Sequence, residues 1–340
     1  MKTRIILLTI FLLSSLILFA QPPALNQTDK SGKKQGKWIK KDKYDRVLYE
    51  GNFKDNKPEG EFRYYYDNKD LKTFSVFSNS GTVCRTKHYF PDNILMAEGK
   101  YVNEKRDSIW RFYNAPNALV SEESFKNGKK DGFEKNFNGK GKLIEERNWK
   151  DSILNGPWKK YYEDGGLQQE GMYKTGQLEG DMKFFYPGNV VAVAGPYVRS
   201  LKHGKWIYYG RHGKIIMQIE NYKQGKLEGY YAEWSEKDGT PHLKGAFKQG
   251  KKNDKWTFFN EKGKLEKDST FFVGYLHGPC TEYLENGSKK SESFFYFNRK
   301  TGTWTEWDES GKIIKEEKFE SVEEIKKKMY LEEKEKKKKK

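Results

Sequence analysis

The chain has 340 residues and a formal net charge of +17, and 35% of its residues are hydrophobic, 33% charged and 16% aromatic. Its length permits an enzyme with a large core, but outside the N-terminus the apolar residues are mostly Tyr, Phe and Trp rather than Leu, Ile and Val. This composition argues against a thick aliphatic core and favours thin, half-exposed β-sheets.

Residues 1–20 have the pattern of a secretory signal peptide. Lys2 and Arg4 precede an apolar run from Ile5 to Phe19, which ends at a small residue before a polar segment. A membrane-spanning helix needs about 20 apolar residues, so this shorter run favours cleavage over the alternative of an uncleaved anchor. We therefore expect an exported protein that is periplasmic, associated with the outer membrane or secreted.

An internal repeat with a period of 24 residues occupies residues 34–325, after an N-terminal linker over residues 21–33. One column of the repeat, which we call the start residue of each copy, is Gly in nine copies and Cys84, Ser108 or Asp254 in the others. The glycines are Gly36, Gly60, Gly132, Gly156, Gly180, Gly204, Gly229, Gly278 and Gly302. A period this regular indicates about twelve stacked copies of one supersecondary unit.

Two columns of aromatic residues follow each start residue. Five residues after it, every copy but the first carries an aromatic residue, and the first carries Lys41. Seventeen residues after it, or eighteen in the two longer copies, every copy is aromatic. This column, the aromatic ladder, consists of Phe53, Phe77, Tyr101, Phe125, Trp149, Tyr173, Tyr197, Tyr222, Phe247, Phe271, Phe295 and Phe319. Because side chains alternate across a strand, the ladder is predicted to run along one face of a sheet.

Turn residues lie between the two aromatic columns and supply the positive φ that a tight hairpin needs. They are Asn138-Gly139, Asp164-Gly165, His212-Gly213, Asp238-Gly239, Lys262-Gly263, Asn286-Gly287 and Ser310-Gly311. Each copy therefore reads strand, turn, strand, loop. One hairpin cannot bury its aromatic face and stacked hairpins can, so we predict an all-β fold: an elongated, single-layer antiparallel sheet of about twelve stacked hairpins.

A second regularity places Trp two residues after the start residue in alternate copies. These residues are Trp110, Trp158, Trp206, Trp256 and Trp304, and the copies between them carry Glu134, Met182, Tyr231 and Cys280. Packing explains the alternation if large and small side chains alternate along a curved sheet. The alternative is a row of exposed Trp faces that stacks on a sugar, a peptide or a cation, which makes these five residues candidate binding residues.

Residues 326–340 form a tail with nine Lys and three Glu. Its composition predicts a short helical or disordered segment. A solvated chain end is the simpler interpretation, and contact with an anionic lipid or polysaccharide surface is the alternative.

The residues that usually carry chemistry are all explained by the repeat. The His residues have no metal-ligand spacing, and the pairs Glu145-Glu146 and Glu316-Glu317 recur at a strand position, which favours sheet-face charge over a glycosidase pair. Cys84 and Cys280 lie eight repeats apart, too far for a disulfide in an open array. We expect no catalytic residues, no cofactor and no metal, and export makes a nucleic-acid partner unexpected.

Two segments carry a family resemblance. Glu170-Gly-Met-Tyr-Lys-Thr-Gly-Gln-Leu-Glu-Gly180 and Gly204-Lys-Trp-Ile-Tyr-Tyr209 resemble the MORN repeat, and look most like the bacterial MORN variant, whose members are often labelled antitoxin components of toxin–antitoxin systems. The resemblance implies stacked β-hairpins, and interaction rather than catalysis. The antitoxin label fits poorly with a signal peptide, because most such antitoxins act in the cytoplasm.

The sequence therefore leaves three hypotheses for function. The leading one is an exported scaffold or binding module of the bacterial envelope, which holds another protein or a polymer. The second is an immunity protein that neutralises a partner toxin. The third is an envelope glycan binder that uses the alternating Trp residues.

Overall fold

The computed structural model describes residues 24–114 and 118–338 of the protein. It divides into two compact units, Met1–Lys105 and Arg106–Lys340, which are described separately below. The predicted signal peptide lies outside the described residues.

The N-terminal unit is an antiparallel meander. Its described elements are β1 (Gln27–Thr28), β2 (Lys34–Lys41), β3 (Val47–Lys54), β4 (Lys57–Tyr65), β5 (Leu71–Ser78), β6 (Val83–Tyr89), a 3₁₀ turn (Pro91–Asn93) and β7 (Leu95–Val102). From β1 to β7, each strand pairs with the next one along the chain. Strand β1 falls within the predicted linker.

The C-terminal unit repeats the same meander and ends in a helix. Its elements are β8 (Lys105–Asn114), β9 (Ala118–Lys126), β10 (Lys129–Phe137), β11 (Leu143–Lys150), β12 (Ile153–Leu154), β13 (Gly156–Tyr161), β14 (Leu167–Lys174), β15 (Gln177–Leu178), β16 (Gly180–Tyr186), β17 (Val190–Val198), β18 (Leu201–Lys202), β19 (Gly204–Tyr209), β20 (Ile216–Lys223), β21 (Lys226–Leu227), β22 (Gly229–Trp234), β23 (Pro241–Lys248), β24 (Lys251–Phe259), β25 (Leu265–Phe272), β26 (Tyr275–Tyr283), β27 (Lys289–Tyr296), β28 (Arg299–Trp307), β29 (Ile313–Lys318) and α1 (Val322–Lys338). The prediction of an all-β, single-layer array of antiparallel hairpins is confirmed, and of the two predicted states of the C-terminal tail the structure has the helical one.

A common register aligns the hairpins of the C-terminal unit. The start residue lies opposite the ladder residue of its own copy, as in Gly156 with Tyr173 and Gly204 with Tyr222. Near the turn, each hairpin is bulged at the residue five after the start. The two aromatic columns of the sequence are therefore two fixed positions in one hairpin geometry.

The start residues have a backbone conformation that favours Gly. Gly156 has a φ of 120° and Gly204 a φ of 62°, where a side chain is disfavoured. Ser108 and Asp254 also adopt positive φ, at 60° and 58°. Cys84 does not, and there the β5–β6 ladder runs without a register shift. The Gly column thus provides the positive φ that an irregular junction between copies requires. At Cys84 the junction is regular, so no Gly is needed.

In the hairpin turns, the side-chain oxygen of an Asn or Asp accepts hydrogen bonds from backbone N–H groups of the turn. The Asn138 side-chain oxygen accepts the backbone N–H groups of Lys140 and Lys142 at 2.9 and 3.0 Å. Gly141, not Gly139, then has the positive φ of 74°. The prediction of a turn here is correct, but the glycine assigned to it is wrong, because the Asn side chain places the left-handed residue two positions later. The other predicted turn glycines, Gly165, Gly213, Gly239, Gly263, Gly287 and Gly311, all have positive φ.

Helix α1 begins at a capping box. The Ser321 N–H donates to Glu324 Oε2 at 2.8 Å, and the Glu324 N–H donates to Ser321 Oγ at 3.3 Å. Ile325 is buried, and an ion pair of 2.8 Å joins Glu332 to Arg299 of β28. The helix thus starts before the predicted tail. Among residues 24–114 and 118–338, no helix is long and apolar enough to span a membrane.

Candidate interaction surface

Strand alternation gives the sheet of each unit two chemically different faces. The aromatic face carries the ladder and the residue two after each start, which we call position two. The ion-pair face carries the residues one and three after each start and their cross-strand partners. In one hairpin, Glu134 and Arg147 pair on the aromatic face, and Lys135 and Glu146 pair on the ion-pair face.

Ladder rings pack against position-two rings on the aromatic face in most copies where both positions are aromatic. The Trp206 ring lies 5.2 Å from the ring of Tyr197 in the preceding copy and 6.5 Å from the ring of Tyr222 in its own copy, both edge to face. The same arrangement recurs at Trp256, whose ring is 5.1 Å from that of Phe247. Edge-to-face contacts at these distances are favourable aromatic geometries. Ladder and position-two column therefore stabilise each other between copies.

Fully buried rings at position two pack against a glycine of the preceding copy. This holds for every such ring whose preceding copy lies in the same unit. A Cβ at Gly195 would overlap ring atoms of Trp206, and a Cβ at Gly245 would overlap ring atoms of Trp256. The N-terminal unit has the same relation between Gly51 and Phe62. The indole or phenyl ring occupies the space that the missing Cβ leaves.

Small side chains pair with each other at the same two positions. In the N-terminal unit, Ser75 faces Thr86, and their hydroxyl oxygens are 2.9 Å apart. In the C-terminal unit, Ser269 faces Cys280, with 3.2 Å between Oγ and Sγ. A glycine in the preceding copy thus leaves room for a large side chain at position two, and a serine there is found with Thr86 or Cys280. The glycines do not follow the doubled period themselves, because Gly171 lies against Met182 in a copy between two Trp copies.

Lysine covers the other side of the buried indole rings. The Lys202 ammonium lies 4.3 Å from the centroid of the Trp206 ring, and that of Lys252 lies 4.2 Å from the Trp256 ring. Burial lowers the pKa of both lysines. The same spacing of four residues recurs in Lys34–Trp38, Arg106–Trp110 and Lys300–Trp304. A Lys or Arg four residues before the Trp is therefore a sequence signal for a cation over the ring, in fully buried and half-buried rings alike.

The hypothesis of exposed Trp faces is wrong for three of the five candidates. Trp110, Trp206 and Trp256 are 0%, 1% and 1% exposed. Large apolar rings are enclosed here because a cation and the neighbouring rings cover them, and burial of an indole is strongly favourable. Packing, the other interpretation of the Trp row, accounts for these three residues.

Trp158 and Trp304 are only half-buried. The residues of the preceding copies that correspond to the glycines are Arg147 and Ser293, whose side chains leave less room for the indole. The Trp158 indole N–H donates to Glu145 at 2.8 Å. The indole N–H of Trp304 is buried and has no hydrogen-bond partner among the described residues. These two residues stay candidates for ligand contact.

Charged side chains replace the rings around Glu134, which is 5% exposed on the aromatic face. The Lys130 ammonium lies 2.8 Å from Glu134 and 3.1 Å from Glu123, and Asn136 donates to Glu134 at 3.2 Å. Burial raises the pKa of Glu134, but the hydrogen bonds from Lys130 and Asn136 outweigh it and hold that pKa below its usual value. The cluster is therefore a buried ion pair with its own hydrogen-bond partners.

A second polar network surrounds Glu220 on the same face. Tyr208 and Tyr222 both donate to its carboxylate, the latter at 2.7 Å, and Lys202 donates to the Tyr208 hydroxyl at 2.8 Å. Burial and the hydrogen bond to Glu220 raise the pKa of Tyr222 to about 12, and raise that of Tyr208 as well. The network holds the lysine that covers the Trp206 ring.

The acidic pair Glu145-Glu146 does not converge. Glu145 accepts the Trp158 N–H on the aromatic face, whereas Glu146 accepts the Tyr161 hydroxyl at 2.8 Å on the ion-pair face. Two adjacent strand residues project to opposite sides. This placement agrees with the interpretation of the pair as sheet-face charge.

The cysteines and His277 are packing residues, and three other histidines are exposed: His203, His212 and His242. Cys84 and Cys280 are free and buried, and burial raises the pKa of the Cys84 thiol. The His277 ring packs between Phe297 and Tyr296, with ring centroids 4.9 and 5.0 Å away. Over residues 24–114 and 118–338, no group of three or more His, Cys, Asp or Glu residues could hold a metal ion.

The ion-pair face of the C-terminal unit combines cross-strand ion pairs with exposed apolar side chains. Arg111 contacts Glu122 at 2.7 Å, and Lys183 contacts Glu170 at 3.1 Å. Four apolar side chains lie beside these pairs, one or sixteen residues after a start residue. They are 39–50% exposed: Ile109, Met172, Tyr230 and Phe294. This face therefore offers both charge and apolar area to a partner.

Comparison with known proteins identifies the type of repeat. Residues 154–175, 276–298 and 300–321 match the MORN repeat variant family, and this repeat type suggests a repeat-based binding or scaffold module. No curated protein matches the chain. A solved structure titled "Crystal Structure of TarM" matches 26% of this chain and 18% of its own length, at 14% identity and a TM-score of 0.21.

Proposed function

We propose that this chain is a non-catalytic scaffold or binding module of the bacterial envelope, which holds another protein or a polymer on the ion-pair face of its C-terminal unit. The observation that carries the proposal is the contrast between the two faces. Three of the Trp rings on the aromatic face are covered by cations and neighbouring rings, whereas Met172, Tyr230 and Phe294 on the ion-pair face are exposed. The MORN repeat matches support a binding role.

The chemistry of this face suits a protein partner. Tyr, Phe and Met are enriched at protein interfaces, where a few such residues carry most of the binding energy. The surrounding exposed ion pairs contribute little to stability in the free protein, so they can exchange partners on binding at low cost. A rim of charges around apolar anchors also steers a partner of complementary charge.

Capture of the partner tests the proposal. The full chain is purified from its native host with its neighbours, the partner is identified by mass spectrometry, and the affinity is measured for Met172→Glu and Phe294→Glu. We expect each substitution to weaken binding by about tenfold or more, because a buried carboxylate without a partner is costly. Leu331→Glu, on an equally exposed residue of α1, is the matched control and keeps full affinity.

Two results contradict the proposal. One is partner binding that neither substitution on the ion-pair face weakens. The other is hydrolysis of a glycan or peptide by the purified protein, with the activity lost on replacement of a single carboxylate. Export is tested separately by N-terminal sequencing, which should find a mature chain that starts at Gln21.

The other hypotheses stay separate proposals with their own tests. An immunity role requires a toxin that forms a stable complex with the chain. A glycan-binding role would use the half-buried Trp158 and Trp304. Contact of the Lys-rich tail with an anionic surface, through helix α1, predicts co-sedimentation with anionic lipid vesicles that is lost in high salt.

A further inference from the structure

A short segment, Asn26 and the two-residue strand β1, covers the N-terminal edge of the sheet. The Asn26 side chain accepts the Ile39 N–H at 2.8 Å and donates to the Ile39 carbonyl at 3.1 Å, while the Asn26 N–H donates to the Lys37 carbonyl at 2.9 Å. Gln27 then pairs with Gln35 through β1. The Asn26 carboxamide thus takes the place of a backbone peptide group. Together with β1, it provides hydrogen-bond partners for outward-facing backbone groups of β2.

The last strand of the C-terminal unit has no such cap. Among the described residues, β29 pairs only with β28. All six residues of β29 are exposed, including Ile313 at 49% and Ile314 at 62%, so helix α1 leaves this strand uncovered. An exposed strand edge is a template for pairing with another chain.

The backbone groups that face away from β28 can be assigned from one hydrogen bond. The Phe319 N–H donates to the Gly302 carbonyl at 2.8 Å, so Phe319 faces its own hairpin. Because the N–H and C=O groups of successive strand residues point to alternate sides, Glu316 and Lys318 face outward. This edge of β29 therefore presents backbone groups at two positions.

Internal copies use the same two positions to receive the next copy. Asn148, the equivalent of Lys318, accepts the Asn155 N–H through its backbone carbonyl at 2.8 Å. Glu170, the equivalent of Glu316, forms a 3.1 Å ion pair with Lys183 of the next copy.

Charges on an edge strand often prevent pairing, but Glu170 shows that an acidic residue at the Glu316 position can pair with a Lys of the next copy. Where the own hairpin supplies a cation, the acidic residue pairs with that cation instead, as Glu122 does with Arg111. The residue opposite Glu316 in its own hairpin is Thr305, which carries no charge.

We propose that β29 is a docking edge, which accepts an extended segment of a partner protein as an added antiparallel strand with a Lys or Arg opposite Glu316. The proposal rests on the proposed function only in requiring a protein partner, and its site is distinct from the ion-pair face. Main-chain hydrogen bonds supply affinity in this mode of recognition, and the facing side chains supply specificity. The basic residue is specified by the charge of Glu316 and by the Glu170–Lys183 precedent.

A peptide copy of an internal strand is the probe. A fluorescent peptide with the sequence of residues 177–186, which contains Lys183, is titrated with the full chain and followed by anisotropy. We expect binding that Glu316→Pro weakens by about tenfold or more, because proline removes the outward N–H and the carboxylate together. Glu309→Lys, a charge reversal in the turn before β29, is the control and leaves binding unchanged.

A charge swap keeps the test valid if the proline disturbs the hairpin. Glu316→Lys retains the strand, and we expect it to weaken binding of the wild-type peptide several-fold and to restore binding of a peptide with Lys183→Glu. Equal binding by all variants, or no binding to the wild-type chain, overturns the proposal. So does concentration-dependent dimerisation that Glu316→Pro abolishes, since the occupant is then a second copy. Partner capture that depends on Met172 but not on Glu316 overturns the docking edge alone.

Discussion

Gly195 lies against the indole ring of Trp206 in the next copy so closely that a Cβ on Gly195 would overlap the ring atoms Cγ and Cδ2. The Lys202 ammonium covers the ring from 4.3 Å, and the indole N–H donates to the Pro196 carbonyl at 3.1 Å. One missing side chain in one copy therefore decides which side chain the next copy can bury.

Gly195→Ala is expected to destabilise the C-terminal unit. The added methyl group forces the Trp206 ring out of its position, and overpacking of this kind costs about 1–3 kcal/mol. Urea unfolding followed by Trp fluorescence measures the loss. The control is Gly139→Ala, where a Cβ meets nothing within 4 Å; equal stability of the two variants contradicts the steric explanation.

The Ser75–Thr86 pair of the N-terminal unit suggests a compensating change. The double variant Gly195→Ser, Trp206→Thr reproduces that pair, and we expect it to be more stable than the sum of its single variants predicts. A double-mutant cycle gives the coupling free energy, which should exceed about 0.5 kcal/mol for residues in contact. Strict additivity of the two changes would show that the two positions are independent.

Lys252→Ala is expected to expose the Trp256 ring. The ammonium lies 4.2 Å from the ring centroid, and burial lowers its pKa. Loss of a partly desolvated cation–π contact costs about 0.5–2 kcal/mol. Acrylamide quenching of Trp fluorescence should increase in Lys252→Ala and stay unchanged in Lys251→Ala, which removes an exposed neighbour. Unchanged quenching in both variants contradicts the role of Lys252 as a cover.

The sequence predicts the hairpin array because its signals are local and repeated. The ladder, the turn glycines and the period each depend on residues within one hairpin, and the register that aligns Gly156 with Tyr173 follows from them. The burial of the Trp residues depends on the preceding copy. A contact such as Gly195 with Trp206 joins strands that are not partners in one hairpin, so the Trp column alone does not reveal it.

One sequence signal could have separated the fully buried Trp rings from the half-buried ones. Gly precedes Trp206 and Trp256 by eleven residues, whereas Arg147 and Ser293 precede Trp158 and Trp304 at that spacing. A Lys four residues before the ring does not separate them, because Lys300 also precedes the half-buried Trp304. Neither signal indicates which face binds a partner, because exposure of Met172 or Phe294 follows from the strand register and not from residue type.

Trp206→Ala and Trp158→Ala are expected to differ. Removal of the fully buried Trp206 ring should cost about 3–5 kcal/mol, and removal of the half-buried Trp158 ring clearly less. Thermal unfolding measures both. If glycan binding uses the aromatic face, Trp158→Ala abolishes retention on an envelope glycan column while the protein stays folded. Equal destabilisation by both substitutions shows that Trp158 is as much a packing residue as Trp206.

Lys130→Met is expected to reverse the pH dependence that Glu134 contributes. In the wild-type protein the pKa of Glu134 lies below its usual value, so its stabilisation is present above the unfolded-state pKa of about 4.3 and is lost as the pH falls through the folded-state value. Without Lys130, burial raises the pKa of Glu134. Stability should then fall by about 1–3 kcal/mol at pH 7, since Asn136 and Arg147 still favour the charged form of Glu134, and should recover as the pH is lowered.

Urea unfolding between pH 4 and pH 8 measures this reversal. Lys129→Met removes an exposed ion pair with Asp151, 3.4 Å long, and should cost less than about 1 kcal/mol at any pH. Lys130→Met with Glu134→Met should restore most of the stability at pH 7, because Met182 already occupies position two of another copy in a buried state. A Lys130→Met profile parallel to that of the wild-type protein contradicts the assignment, since it means that Glu134 keeps its charge without the lysine.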